Sequence, residues 1–406
     1  MARNGSAPVV TKGSNVMDQL EKNIRKHLET ICLVPSRHVG SPGVLKTADY
    51  IEKVFRDYGF ADVSREPFPT TGWRFGSMLF EDLDNGAVPV PTALPCFFSR
   101  SAEVSGDPVW LTEDSVAGLT REQVEGKLCI AEYFSEAGAI QGRNGLAELL
   151  DRLGAAAAVF ISDSAYHTTV AASSKIQRSP NLRNLGAAAV AEEGAYYLAR
   201  NRNHRYHFAI DADTFPATSY NIVATRPGTG SKRAVFGAHY DAAPLTQAAV
   251  DNASGVAALL ELARLMKDDL PEWTLEFVAL DAEEYCITPG YPAGSEAYTI
   301  AHPDRKWEYF MNFDGVGSYF SDSVLHIGQP EKLPKIKSCY EILPIKNGGD
   351  DRSFDRIGVP TLWFNVHPRF KDFHTPADTL GTLGIELFPA CIRDALQVVH
   401  QIAEEQ

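Results

Sequence analysis

Hydrophobic and polar positions change their rhythm three times along the chain. Residues 1–15 are small and polar and predict a disordered tail. From Val16 to about Gly59, Leu20, Ile24, Leu28, Ile31 and Cys32 recur at three- to four-residue spacing. Ala48, Ile51, Val54 and Phe55 repeat that spacing after the loop Pro35–Gly43. The period is helical. From about Gly76 to Pro216 the apolar runs shorten. Val109–Leu111 and Lys127–Ala131 predict strands, Gly145–Leu153 a helix, and Ala155–Ile161 a buried strand. Beyond Pro216, strands at Asn221–Thr225, Ala234–Phe236 and Leu275–Leu280 are predicted. Between the last two, Val256, Leu259, Leu260, Ala263 and Met266 form the apolar face of a helix. Such alternation predicts an α/β layer fold.

A chain of 406 residues is expected to hold two or three domains. Its 44% hydrophobic, 22% charged and 10% aromatic composition is that of an ordinary globular core and excludes rods and bulk disorder. With 38 Lys and Arg against 52 Asp and Glu the net charge is −14, which disfavours nucleic acid as a partner. No run approaches the roughly 18 apolar residues of a membrane span. The six cysteines (Cys32, Cys96, Cys129, Cys286, Cys339, Cys391) lack CxxC spacing and read as isolated, reduced thiols. The first fifteen residues contain no apolar signal core, so a cytoplasmic location is expected, and the sequons at Asn4 and Asn252 read as chance.

The chemistry-bearing residues lie in the last stretch. The predicted strand Ala234–Phe236 runs into Gly237-Ala-His-Tyr-Asp241, an imidazole at a strand end with a carboxylate two residues on. That is how a sheet can present a metal ligand with its orienting partner. Asp251-Asn-Ala-Ser-Gly255 precedes the amphipathic helix, where Asp251 also reads as an N-cap. Strand Leu275–Leu280 ends in Asp281-Ala-Glu283-Glu284-Tyr285, whose crowded carboxylates ask for a cation or else form an exposed acidic turn. Asn312-Phe-Asp314-Gly and His374-Thr-Pro-Ala-Asp378 add an Asp and an imidazole–carboxylate pair, each also readable as a plain turn or loop. Serine-hydrolase, P-loop and Rossmann signatures are absent, as is HExxH.

Taken in order, His239-x-Asp241, Asp251-Asn-Ala-Ser-Gly, Glu283-Glu284, Asn312-Phe-Asp314 and His374-Thr-Pro-x-Asp378 resemble the M28 family of zinc aminopeptidases. The resemblance covers residues 16–75 and 216–406. Residues 76–215 more loosely resemble a protease-associated domain inserted in some members. The resemblance implies a mixed, mostly parallel sheet flanked by helices, interrupted by a β-rich α+β insert. It implies two zinc ions, with His239 and Asp314 on one, Glu284 and His374 on the other, and Asp251 bridging. Asp241 would orient His239, and Glu283 would be the general base. The implied substrate is a peptide and the implied reaction N-terminal hydrolysis. The same kind of centre serves carboxypeptidases and dipeptidases, for which Arg352, Arg356 and Arg369 are available, and a relative without activity would be a binding module. Where relatives often carry Ser-Asp-His before a Phe, this chain has Gly349-Asp350-Asp351-Arg-Ser-Phe354. Phe373 stands where some relatives place a tyrosine that steadies the oxyanion, which leaves Tyr240, Tyr285, Tyr291 and Tyr319 as open candidates.

Overall fold

The structure is a computed structural model that describes residues 10–132, 142–161, 182–285, 291–345, 349–366 and 373–405. The helical period at the start of the chain becomes α1 (Val10–Cys32) and α2 (Pro42–Asp57). Helix α1 begins inside the stretch expected to be a tail. Once the amphipathic part has nucleated, each preceding residue adds a hydrogen bond without a new nucleation cost. Ser41 caps α2 by accepting the Val44 N–H at 3.1 Å, and Pro42 occupies the first turn, where its missing N–H is harmless.

The central sheet has ten strands: β1 (Asp62–Asp82), β2 (Val88–Pro89), β3 (Ala102–Gly106), β4 (Tyr206–Arg226), β5 (Arg233–His239), β6 (Thr274–Leu280), β7 (Tyr309–Phe313), β8 (Ser323–Gly328), β9 (Glu341–Pro344) and β10 (Thr361–Val366). Their order is β9-β8-β10-β7-β5-β6-β4-β1-β2, with β3 paired to β4. The inner strands β10, β7, β5 and β6 are mutually parallel, whereas β4 and β1 add on antiparallel. The sheet is therefore mixed, as expected, with its parallel ladder at the centre.

Alternation along the inner strands serves two helical layers. Phe236, Leu275, Phe277 and Met311 face one core with Leu20, Ile24, Ile51, Leu259 and Val398. They pack against α1, α2, α3 (Ser254–Met266) and a C-terminal helix at Phe388–Glu405. Val235, Val278, Leu280 and Phe310 face the other core, with Tyr298 of a helix at Ala293–Ala301 and Phe354 of a short helix at Asp351–Arg356. Burial on both faces explains why these strands read as continuous apolar runs.

Strands β1 and β4 are each 21 residues long and pair from Asp62↔Thr225 to Asp82↔Tyr206. The expected domain edges near residues 75 and 216 fall inside this ladder, which shifts register between Phe75 and Ser77 and pairs Thr71 with Pro216. Pro67, Pro69, Gly72 and Gly76 interrupt β1 and hide it from a period-two reading. Beyond the hairpin lies a second sheet of five strands, at Leu94–Pro95, Val109–Leu111, Leu128–Ala131, Ala157–Ile161 and Gly186–Val190. The last four pair in parallel. Among the described residues, no helix is long and apolar enough to cross a membrane.

Candidate metal centre

Parallel neighbours end at the same edge of a sheet, so residues just past their C-terminal ends are brought together. His239 closes β5, Glu283 and Glu284 follow β6, and Asp314 follows β7. The register sets His239 opposite Leu280 and Gly237 opposite Asn312. Asp251 arrives on the loop between β5 and α3, and His374 lies beyond β10.

At that edge five side chains form two groups that share Asp251. In the first, His239 Nε2 lies 3.1 Å from Asp251 Oδ1 and 3.4 Å from Asp314 Oδ1. In the second, His374 Nε2 lies 3.0 Å from Asp251 Oδ2 and 2.8 Å from Glu284 Oε1. Ligands of a tetrahedral zinc ion sit about 3.3 Å from one another, given bonds of about 2.0–2.1 Å. The donor atoms are thus at separations a shared cation would hold, and nitrogen with carboxylate oxygen is a donor set zinc accepts. The residues fit such ions. His239 is fully buried, and His374 is partly open, at 25% side-chain exposure, giving the second group a path to solvent.

The loops that carry these five side chains are fixed by carboxylates and amides behind them. Asp241 lies 3.2 Å from His239 Nδ1, which in the neutral ring favours the proton on Nδ1 and turns the Nε2 lone pair toward the group. The same carboxylate accepts the backbone N–H of Glu283 at 3.0 Å and of Glu284 at 3.1 Å. The N-cap reading of Asp251 is corrected: its carboxylate faces the two imidazoles, and Asn252 accepts the Gly255 N–H at 2.8 Å and the Gly315 N–H at 3.1 Å. Asp378 accepts the backbone N–H of Val250 at 2.8 Å and of Asp251 at 3.0 Å. Sequence reading saw Asp378 only as a companion of His374; its role as a clamp on the Asp251 loop depends on contacts more than 120 residues away in the chain. Arg37, in the loop after α1, was missed altogether, since a lone Arg in a polar loop carries no signal.

Burial alone would lower the His239 pKa, but the Asp241, Asp251 and Asp314 carboxylates outweigh it and hold it well above the usual imidazole value. For His374 burial is likewise overcome, by Glu284 and Asp251. Desolvation opposes charge on Asp251, yet the two imidazoles hold its carboxyl below the usual range. The set demands positive charge, from protons on the rings or from metal ions when both rings are neutral. Behind it, burial pushes Asp281, Asp350 and Asp351 up to about 7. Asp281 turns away from the two groups and accepts the Ala282 N–H at 2.8 Å.

Glu283 is 7% exposed, and a Cβ placed on Gly349 would fall 2.8 Å from Glu283 Oε1 and 3.4 Å from Asp314 Oδ2. Glycine at 349 therefore lets the following segment close over the Glu283 carboxylate. Each of the four candidate tyrosines has a partner elsewhere. Tyr240 donates to Tyr220 O at 2.6 Å, Tyr285 to Thr71 Oγ1 at 3.3 Å, and Tyr319 to Glu386 Oε1 at 2.7 Å. The Tyr291 ring stacks under the Arg356 guanidinium at 4.4 Å. Residues 286–290 and Arg369 lie outside the described residues.

Residues 221–399 match the family model described as Peptidase family M28. That stretch is similar to the M28 peptidases. The M28 match runs from the end of β4 into the C-terminal helix and so contains all five residues of the two groups. Curated relatives include Aminopeptidase YwaD of Bacillus subtilis, 27% identical over 42% of this chain and 41% of that protein. An aminopeptidase of Pseudomonas aeruginosa (strain UCBPP-PA14) is 24% identical over 77% of this chain and 59% of that protein. The chain thus spans about half the length of these relatives. Among solved structures, the zinc aminopeptidase BSAP from Bacillus subtilis superposes with TM-score 0.72 at 18% identity, covering 94% of both chains. A Peptidase M28 precursor from Shewanella amazonensis SB2B gives TM-score 0.72 at 20% identity, over 94% of this chain and 95% of that one. At these identities the superpositions speak for the fold alone, over the 94% of the chain that they cover.

Proposed function

We propose that the protein is a di-zinc aminopeptidase that releases N-terminal residues from short peptides. The observation that carries this reading is Asp251, whose two oxygens are divided between His239 and His374 so that one carboxylate joins two metal-sized groups. His239, Asp251 and Asp314 would hold one ion, and Asp251, Glu284 and His374 the other. When bound, such a pair supplies a water nucleophile at neutral pH and polarises the scissile carbonyl.

The chain's own residues do the rest. Asp241 keeps the His239 proton on Nδ1 and so keeps Nε2 a ligand. Glu283, held by its backbone to Asp241, takes a proton from the attacking water as the new C–O bond forms. It returns that proton to the amine nitrogen as the C–N bond breaks, so one water is consumed and two termini appear. The carboxylate-rich floor attracts the free α-amino group of a substrate, which favours N-terminal over internal cleavage.

The second sheet supports a size filter. Phe98, from the segment after its first strand, meets the Tyr285 ring edge-to-face at 5.5 Å, directly beside Glu284. A body packed there narrows the approach to the site and favours short peptides. For carboxypeptidase chemistry a free guanidinium near the site is needed, whereas Arg356 is engaged by Glu296 at 3.0 Å and by Tyr291.

The test is elemental analysis of the purified protein beside a panel of aminoacyl chromogenic substrates, with N-acetylated counterparts and chelator. About two zinc per chain with chelator-sensitive release from free amines alone is expected. Equal cleavage of acetylated substrates, or no bound metal, overturns the reading.

A further inference from the structure

We propose that Arg37 is a positioning residue that sets the loop carrying Asp251 and thereby the geometry of the two metal-sized groups; the inference rests on the di-zinc reading. Arg37 lies outside residues 221–399, the stretch that the family model matches. It is 1% exposed, and its guanidinium donates almost wholly to the backbone of that loop. The bonds run to Gln247 O at 2.9 Å, Ala248 O at 3.0 Å and Tyr240 O at 3.4 Å, with a further one to Ile31 O at 3.3 Å. In return the Ala242 N–H donates to Arg37 O at 3.2 Å. Residues 240 and 248 are thus tied to one planar group, one just past His239 and the other three residues before Asp251.

The loop needs such a tie. Leu245 and Ala248 have φ of +62° and +47°, a backbone region that non-glycine residues occupy only when their surroundings impose it. Asp378 holds the far end through Val250 and Asp251. Arg37 holds the near end, and its charge sits within the field of Asp378, Asp241 and Asp251. Only arginine brings five donors in a rigid fork; a lysine at 37 keeps the charge but cannot span carbonyls at both ends of the loop.

The experiment compares wild type with Arg37→Lys. Glu276→Gln is the control, because Glu276 is an equally buried charge toward the opposite end of β6, bound by Trp307 and Tyr298 and paired with Arg233 and Arg305. Zinc affinity is read by competition with a chromogenic chelator, melting of the metal-free proteins gives fold stability, and kcat and KM are measured with zinc in excess. Arg37→Lys is expected to bind zinc at least about tenfold more weakly, with kcat reduced and KM little changed, while its metal-free melting drops no more than that of Glu276→Gln. Zinc affinity and kcat like wild type, or reduced only as in Glu276→Gln, overturns the proposal. So does failure of Arg37→Lys to fold where Glu276→Gln folds, which makes Arg37 a residue of the fold alone. Wild-type protein that binds no zinc removes the di-zinc reading itself, a result separate from any difference between variants.

Discussion

The Asp241 carboxylate accepts the backbone N–H of Glu283 at 3.0 Å while standing 3.2 Å from Nδ1 of His239. One side chain just past β5 thus fixes both His239 on its own strand and the start of the Glu283-Glu284 segment after the next. Asp241→Asn keeps the shape but offers an amide N–H to groups that are themselves donors. Zinc affinity is expected to fall about 10- to 100-fold, with the fold retained. Chelator competition and circular dichroism check this; wild-type affinity would refute it.

Glu283→Gln removes the carboxylate proposed as the base and keeps the volume. Turnover is expected to fall by about 10²–10⁴-fold, with zinc content unchanged. Steady-state kinetics beside elemental analysis make the check, and a variant with full activity removes Glu283 from the mechanism.

Metal removal should be visible in stability. With zinc at a thousand times its dissociation constant, one site stabilises the fold by about 4 kcal/mol. Melting in chelator is expected several degrees lower than with zinc, and added zinc should restore it. Identical curves would mean that the groups bind no metal under those conditions.

Away from the site, Glu261 of α3 accepts from Asn23 at 3.0 Å, Tyr58 at 2.7 Å and Arg264 at 2.8 Å. Burial alone would raise its pKa, but His27, Arg264 and Tyr58 outweigh it and set it below the ordinary glutamate value. A depressed folded pKa gives stability that is present above the unfolded value and lost as pH falls through the folded one. Metal-free wild type should therefore lose stability below about pH 4.5 more steeply than Glu261→Gln, as read by urea unfolding from pH 6 to 3.

Phe98 is fully buried, stacked on Phe97 at 4.0 Å and edge-on to Tyr285. Phe98→Ala is expected to cost about 3–5 kcal/mol and to reduce kcat through the Tyr285 contact. Unchanged kinetics would detach the second sheet from the site.

The apolar runs Ala234–Phe236 and Leu275–Leu280 were legible as strands because they are buried on both faces, and the spacing of Val256 to Met266 was legible as a helix because its larger apolar side chains recur every three to four residues, although the helix is buried on nearly every side. Local patterns of that kind report local burial. The motifs at residues 239, 251, 283, 284, 314 and 374 were legible because imidazoles and carboxylates at strand ends are chemically conspicuous. Neither kind of signal reached β1, whose prolines and glycines break the period, or Arg37, whose partners are carbonyls with no side-chain identity. The sequence by itself determined the element types of the α/β layers and the residues able to do metal chemistry. Only the tertiary structure decided that Asp251 stands between two imidazoles, that Asp378 and Arg37 hold its loop, and that one hairpin carries the second sheet. Those facts depend on parallel strands ending at one edge and on hydrogen bonds between residues far apart in the chain, and such pairings leave no trace in local periodicity.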